Sequence, residues 1–443
     1  MIEITGHVLS NLDEFKLRLG HLSLVCEIAK FQGGTAFRLE RDLIERLTRP
    51  VDIEESDTTT IGRYLEAKKL CAEDGKELPG KKKKFRYPEI TYRKTDGGGY
   101  RVFRSQESPS LPTIWFQDFC LAQPGVRSRT GAITAGGKSG SKTGISHVID
   151  WATELELINK SGSPSPIASI IADEVRNQAD SGGSNPYILG PEKLALGYVY
   201  VRSDFDVFAQ LIRNLAKESG TILKSDARTI FVNVVEQLTQ KAENDPNLTN
   251  RRSRPIYTLW RDVEKAGKRA RKAPDQTSTA WHRASSRFET LTDLGFLSKT
   301  QDNNDYTYEY KYRVEERTLR GAAALEKFGQ SSEWIDTYLF ESLLDERSSE
   351  PLSEGRLLRH LPKVLTSLQG PTAPVPIVAL AVGLGIEFTR HGEAFAFGEI
   401  KESLRDLART RPEIAKLSRG TTLESEGLIS FNVTHLEGAR PDE

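Results

Sequence analysis

The sequence predicts a helix-rich α+β protein with several domains. At 443 residues the chain is longer than one ordinary domain. Its composition, with 37% hydrophobic and 28% charged residues, is typical of a globular protein. Apolar residues recur at helical spacing along much of the chain, and in two places such helices precede a hairpin pattern of alternating side chains around a polar turn.

Changes in composition divide the chain into four predicted domains. In order, they are a domain with a basic hairpin, a helical domain, a domain that ends in further helices and a small α/β domain: 1–107, 111–220, 221–347 and 355–443. The segments 128–143 and 348–355 have the composition of loops or linkers.

The helices are predicted from apolar residues at intervals of three and four. They cover 17–30, 37–47, 61–71, 144–159, 167–177, 191–219, 227–242, 256–271, 317–347 and 397–410. A hairpin is predicted around the glycine-rich turn 96–99, and a strand over 428–433.

The segment 279–314 combines an amphipathic helix, a glycine stop and a hairpin. Apolar residues mark one face of the helix: Ala284, Phe288, Leu291 and Leu294. Gly295 stands where a helix C-terminus favours a left-handed residue. A strand is expected to begin at Phe296, and polar residues 301–305 form the turn. Tyrosines at every second position then predict the return strand: Tyr306, Tyr308, Tyr310 and Tyr312.

This order resembles the recognition helix and wing of winged-helix DNA-binding domains. The domain 1–107 repeats it with three helices followed by a hairpin, so the resemblance implies two or more winged-helix-like modules. In that family the recognition helix lies in the major groove, and neighbouring cations contact phosphates. The resemblance therefore implies that Arg283, Ser286 and Arg287 face the major groove, with His282 on the same helix.

Basic residues are dense in the sequence around this predicted recognition helix. They are expected to contact phosphates and comprise Arg251, Arg252, Arg254, Arg261, Lys265, Lys268, Arg269, Arg271 and Lys272. Asp302, Asn303, Asn304 and Asp305 make the wing tip poorly cationic. The same pattern also fits a solvated charged helix, or a winged helix that contacts protein.

The N-terminal hairpin has the more basic sequence of the two. The predicted contacts to the DNA backbone are Lys81, Lys82, Lys83, Lys84, Arg93 and Lys94. Aromatic residues alternate along the same hairpin. They are interpreted as its core face, although aromatic rings can also stack on unpaired bases.

These features predict a non-catalytic protein that binds double-stranded DNA. It would be a bacterial regulator, or a DNA-targeting subunit of a larger mobile-element or phage-defence system. Lys+Arg and Asp+Glu both number 62, so the net charge is +0 and favours a local basic face over whole-surface binding. A scaffold that binds protein partners through its acidic C-terminal part is the alternative.

Two patterns also raise enzymatic alternatives. Glu399-Ile400-Lys401 follows an apolar run, with Glu387 upstream, and is half of a metal-dependent nuclease pattern in which carboxylates hold Mg²⁺. Glu399 equally fits the first turn of a helix. The segment 132–139 formally matches a relaxed phosphate-loop pattern, but it lacks the flanking strand and helix that ATP binding requires.

No cofactor, metal site or membrane segment is predicted. The seven histidines show no local metal-ligand spacing, and the three cysteines form no CxxC pair. No apolar run approaches the roughly 20 residues that a membrane helix needs. The N-terminus lacks the pattern of a signal peptide, and a cytoplasmic protein is expected.

Overall fold

The computed structural model describes most of the chain, with gaps. The described residues are 4–9, 19–33, 39, 42–43, 51–53, 91–94, 100–103, 144–180, 189–218, 220–246, 248–272, 279–300, 311–328, 330–344, 348, 350–368, 374–419 and 426–438.

Helices dominate these ranges. They are α1 (Leu19–Phe31), α2 (Gly144–Glu154), α3 (Pro166–Asp180), α4 (Lys193–Ser203), α5 (Phe205–Leu215), α6 (Lys224–Asn244), α7 (Asn250–Lys272), α8 (Thr279–Asp293), α9 (Glu316–Lys327), α10 (Ser331–Trp334), α11 (Phe340–Leu344), α12 (Glu354–Ser367), α13 (Ile377–Arg390), α14 (Phe397–Thr410) and α15 (Val433–Gly438). A π-helical turn, Ile335–Leu339, joins α10 to α11.

Small antiparallel sheets accompany the helices. Their strands are β1 (Val51–Ile53), β2 (Thr91–Lys94), β3 (Tyr100–Phe103), β4 (Thr221–Ile222), β5 (Leu297–Thr300), β6 (Lys311–Val314), β7 (Val375–Pro376), β8 (Ala415–Ser418) and β9 (Leu428–Phe431). The three sheets have the orders β1-β3-β2, β4-β6-β5 and β7-β9-β8. In each, a short strand from earlier in the chain adds to a later antiparallel pair. The predicted helix-rich α+β class is therefore confirmed.

The predicted helix, glycine stop and hairpin over 279–314 are confirmed where the structure describes them. Helix α8 ends at Asp293, Gly295 follows with a φ of +81°, and the Phe296 amide donates to the Leu291 carbonyl at 2.8 Å. This left-handed glycine with its backward hydrogen bond closes the helix. Strands β5 and β6 pair antiparallel, with Leu297 opposite Val314. The turn residues 301–310 lie outside the described residues.

Most of the described helices contribute to one hydrophobic core, whose residues range from Ile4 to Leu436. Helix α1 packs on α2 and α3, and α13 packs on α3, α4, α12 and α14. Helix α6 packs on α5, α7 and α8. Elements assigned to different predicted domains thus contact one another, and the division into four domains stays a prediction.

Several predicted helices have nearly the expected bounds. Helix α14 covers 397–410 as predicted, while α3 and α6 extend the predictions over 167–177 and 227–242 by a few residues at their ends. The predicted helix 191–219 is divided at Asp204 into α4 and α5. The predicted helix 61–71 and the segment 128–143 lie outside the described residues.

No helix within the described ranges has both the length and the apolar character needed to cross a membrane. The most apolar helix, α13, has 14 residues, whereas a membrane span needs about 20.

Candidate nucleic-acid interface

Helix α8 is a core helix rather than an exposed recognition helix. Every residue from 283 to 292 is buried, because α6, α7 and β5 all pack against this helix. Arg283 is 6% exposed, while Ser286 and Arg287 are fully buried. The prediction that these three side chains face a major groove is therefore wrong.

Arg287 forms a buried ion pair with Asp204, the residue between α4 and α5. The guanidinium donates two hydrogen bonds to the carboxylate: Nε donates to Oδ2 at 2.7 Å and Nη2 donates to Oδ1 at 3.1 Å. Nη2 also donates to the Leu9 carbonyl at 2.6 Å, and the guanidinium lies 5.2 Å from the centre of the Phe231 ring. This arginine therefore connects α8 to the segment 4–9, to the junction of α4 and α5, and to α6.

The Asp204 carboxylate has donors at both oxygens. Oδ1 also accepts from the Leu9 amide at 2.9 Å, and Oδ2 accepts from the Tyr200 hydroxyl at 3.3 Å. Burial raises the pKa of Asp204, and the charge of Arg287 opposes that rise. A protonated carboxyl could not accept from all four donors, so this geometry requires the ionised form.

Two buried threonine hydroxyls of α8 are satisfied inside the helix itself. Thr290 donates to the Ser286 carbonyl at 2.9 Å, and Thr292 donates to the Phe288 carbonyl. Such bonds to the preceding turn let polar side chains be buried without an external partner. The polar face of α8 is therefore compatible with the protein interior.

The exposed basic residues of this region lie on α7 instead. Its inward face is buried and comprises Ser253, Ile256, Leu259 and Val263. Its outward face includes Arg251, Arg252, Arg254, Tyr257, Arg261 and Lys265. The helix contains nine Lys or Arg residues but only two acidic ones, Asp262 and Glu264.

Asp262, one of the two acidic residues of α7, forms an ion pair with the helix packed beneath it. Arg283 of α8 donates to Asp262 at 2.9 Å, so a buried cation neutralises this carboxylate. The outer face of α7 consequently keeps more of its positive charge. Arg283 thus influences the surface charge of α7 although it is itself buried.

Four outward cations of α7 lie along one helix without a carboxylate partner among the described residues. Arg251, Arg254, Arg261 and Lys265 form no ion pair with any residue that the structure describes. By contrast, Arg356, Arg405, Arg409 and Arg411 each pair with a carboxylate. Within the described part of the chain, nothing neutralises these four charges, so they can bind the charge of a ligand.

An open groove of about 480 Å³ follows the N-terminal half of α7. It is lined by Asn250, Ser253, Arg254, Tyr257, Thr258 and Arg261. All of these groups have hydrogen-bonding side chains, and two are cations. A groove of this composition suits a polar anion such as a phosphate backbone.

The remaining predicted DNA contacts fall where side chains are not described. Lys268, Arg269, Arg271 and Lys272 lie on the C-terminal part of α7, His282 lies on α8, and Arg93 and Lys94 lie on β2. Lys81, Lys82, Lys83 and Lys84 lie outside the described residues. Their predicted roles stay predictions.

The half-pattern of a metal-dependent nuclease is not formed. Glu399 and Lys401 lie in the first turns of α14, not on a strand, and Glu399 accepts from the Leu352 amide at 2.8 Å. Lys401 is buried and pairs with Asp336 at 2.8 Å and with Glu426 at 2.5 Å. Since Glu399 accepts from a backbone amide and Lys401 forms two ion pairs within the fold, the nuclease interpretation of this motif is wrong. The phosphate-loop segment 132–139 lies outside the described residues.

No protein-family model, curated protein or solved structure is similar to this chain. The resemblance to winged-helix domains therefore stays a prediction. A functional proposal therefore rests on the charge and exposure of α7 and not on any related protein.

Proposed function

We propose that the protein binds double-stranded DNA, without catalysing a reaction on it, through the outward face of α7. The observation that supports this most is the excess of cations on that face. Arg251, Arg254, Arg261 and Lys265 have no carboxylate partner in the described part of the chain. Uncompensated surface cations on one helix are the electrostatic feature that a phosphate backbone binds.

The dimensions of α7 suit a duplex. Its 23 residues span about 34 Å at a rise of 1.5 Å per residue. An α-helix is about 10–12 Å wide, close to the roughly 12 Å width of the major groove. Arg254, Arg261 and Lys265 recur along one side of the helix, so they can contact a DNA strand together.

The inward face of α7 packs against the protein core. Its buried face packs on α6 and α8, and Arg283 fixes Asp262. The hairpin β5–β6 next to α8 also pairs with the short strand β4. In this proposal α8 supports the interface and α7 makes the contacts.

Such a protein would act as a regulator or as the DNA-targeting subunit of a larger assembly in the cytoplasm. Phosphate contacts position a protein on DNA but carry no sequence information. The described cations therefore account for affinity rather than for the choice of a sequence. A protein scaffold is the alternative, and it predicts no affinity for duplex DNA.

The proposal is tested by fluorescence anisotropy of a labelled duplex, titrated with the full-length protein at two salt concentrations. With about four phosphates neutralised, duplex affinity is expected to fall roughly 100-fold between about 50 and 200 mM salt. A single strand of the same sequence serves as comparison. Absence of duplex binding at the lower concentration, or binding that salt does not change, would contradict the proposal.

A further inference from the structure

The C-terminal end of α13 gathers two histidines and a glutamate beside α12. His391 Nε2 lies 3.2 Å from Glu387 Oε1, and His360 Nδ1 lies 3.7 Å from the same oxygen. One potential ligand atom from each of the three side chains lies within 4.8 Å of the other two. His360 and Glu387 are buried, whereas the His391 side chain is 53% exposed.

We propose that His360, Glu387 and His391 bind a zinc ion. Two imidazoles and one carboxylate form a ligand set that zinc uses in proteins, with a fourth position left for water or another ligand. Glu387 lies on α13, His391 caps the C-terminus of that helix one turn later, and His360 comes from α12. The site therefore opens to solvent on the side of His391.

The three side chains need only a small adjustment to bind zinc. Ligands at about 2.0–2.2 Å in a tetrahedral site are about 3.3–3.5 Å apart. The observed separations extend to 4.8 Å, so an approach of about 1–1.5 Å is required. The imidazole of His391 can supply this movement by rotation of its side chain, because that side chain is 53% exposed.

Two cations compete with zinc for Glu387. Lys363 Nζ lies 2.7 Å from Oε1, and Arg390 lies 3.0 Å from Oε2. Arg390 also pairs with Glu174, so it keeps a partner when zinc is bound. The Lys363 side chain is 56% exposed and can move into solvent. When zinc binds, it therefore replaces the Lys363 ammonium group as the partner of Glu387 Oε1.

Glu393, two residues after His391, is a further carboxylate near the end of α13. Gly392, with φ at +72°, turns the chain after α13, and the Glu393 amide donates to the Phe388 carbonyl at 2.9 Å. Glu393 Oε1 pairs with Arg356 at 3.5 Å, whereas Oε2 is buried and has no hydrogen-bond partner within the described residues. Oε2 is therefore the atom of Glu393 that a metal could use.

The test is zinc titration of the metal-free, full-length protein by isothermal titration calorimetry, without DNA. One zinc ion per chain is expected at this site, with affinity at least 10-fold weaker in His391→Ala and in His360→Ala/His391→Ala. The matched control is His7→Ala/His435→Ala, whose two histidines are exposed elsewhere and whose affinity should not change. Unchanged affinity in His391→Ala would overturn the proposal, and circular dichroism checks that this variant is folded.

A second variant tests the exchange at Glu387. Lys363→Met removes the competing cation but keeps the length of the side chain, so zinc affinity should rise several-fold. An affinity that stays the same or falls in Lys363→Met would show that Glu387 does not bind the metal and would overturn the proposed ligand set.

Discussion

Arg287→Ala is expected to lower the free energy of unfolding by about 3–5 kcal/mol, the usual cost of removing one partner of a buried ion pair. Both side chains of the Arg287–Asp204 pair are fully buried. The variant leaves the Asp204 carboxylate without its counter-charge and the Leu9 carbonyl without its donor at 2.6 Å. Urea denaturation followed by circular dichroism measures the change.

An exposed ion pair provides the control for this prediction. Arg409 pairs with Asp406 on α14, and their side chains are 61% and 64% exposed. Arg409→Ala should cost at most about 1 kcal/mol, because water screens exposed pairs. A loss below about 1 kcal/mol for Arg287→Ala as well would contradict the view that this arginine holds α8 in the core.

Removing three charges from α7 is expected to weaken duplex binding by about 10- to 100-fold at moderate salt. The variant is Arg254→Gln/Arg261→Gln/Lys265→Gln, in which each side chain keeps its polarity but loses its charge. Each phosphate contact contributes about 0.9 to the salt slope, so the slope should fall by about 2.7. Anisotropy titrations at several salt concentrations measure both quantities.

A variant with the same change in net charge separates local contact from overall electrostatics. Arg409→Gln/Arg411→Gln/Lys416→Gln removes two arginines and one lysine from the C-terminal region, where Arg409 and Arg411 already pair with carboxylates. Its duplex affinity should stay within about threefold of the unmodified protein, since distant surface charges are screened beyond about 10 Å. Equal losses in both triple variants would mean that α7 is not the contact surface.

The sequence was sufficient to predict the elements around 279–314 but not how they are oriented. Apolar spacing located α8, and Gly295 marked its end, because both signals are local. The burial of Arg287 depends on Asp204, which lies 83 residues earlier. Polar residues opposite an apolar stripe normally indicate a solvent-exposed face, and no local pattern distinguishes the rare case in which a second layer covers it.

The short strands and the histidine cluster were missed for a related reason. Strands β4 and β7 contain two residues each, too few for a period of two to be recognised. His360 and Glu387 lie 27 positions apart in the chain. The spacing of Glu387 and His391, one helical turn, was the only signal in the sequence, and it becomes informative only when α12 packs against α13.

The sequence shows that α7 is basic, and its Lys and Arg residues were therefore expected to contact phosphates. The sequence could not tell which helix bears the exposed cations, because α7 and α8 are both amphipathic and both contain arginines. Packing decides between them: α8 is covered by α6, α7 and β5, whereas one side of α7 remains open.

Photo-crosslinking tests most directly whether α7 is the surface that contacts DNA. The photoreactive amino acid p-benzoylphenylalanine is placed at Tyr257, which is 37% exposed in the groove of α7, or at Leu319, which is 49% exposed on α9. Irradiation with a labelled duplex should give a covalent adduct from position 257 and little from position 319. An adduct from position 319 with none from position 257 would contradict the proposed interface.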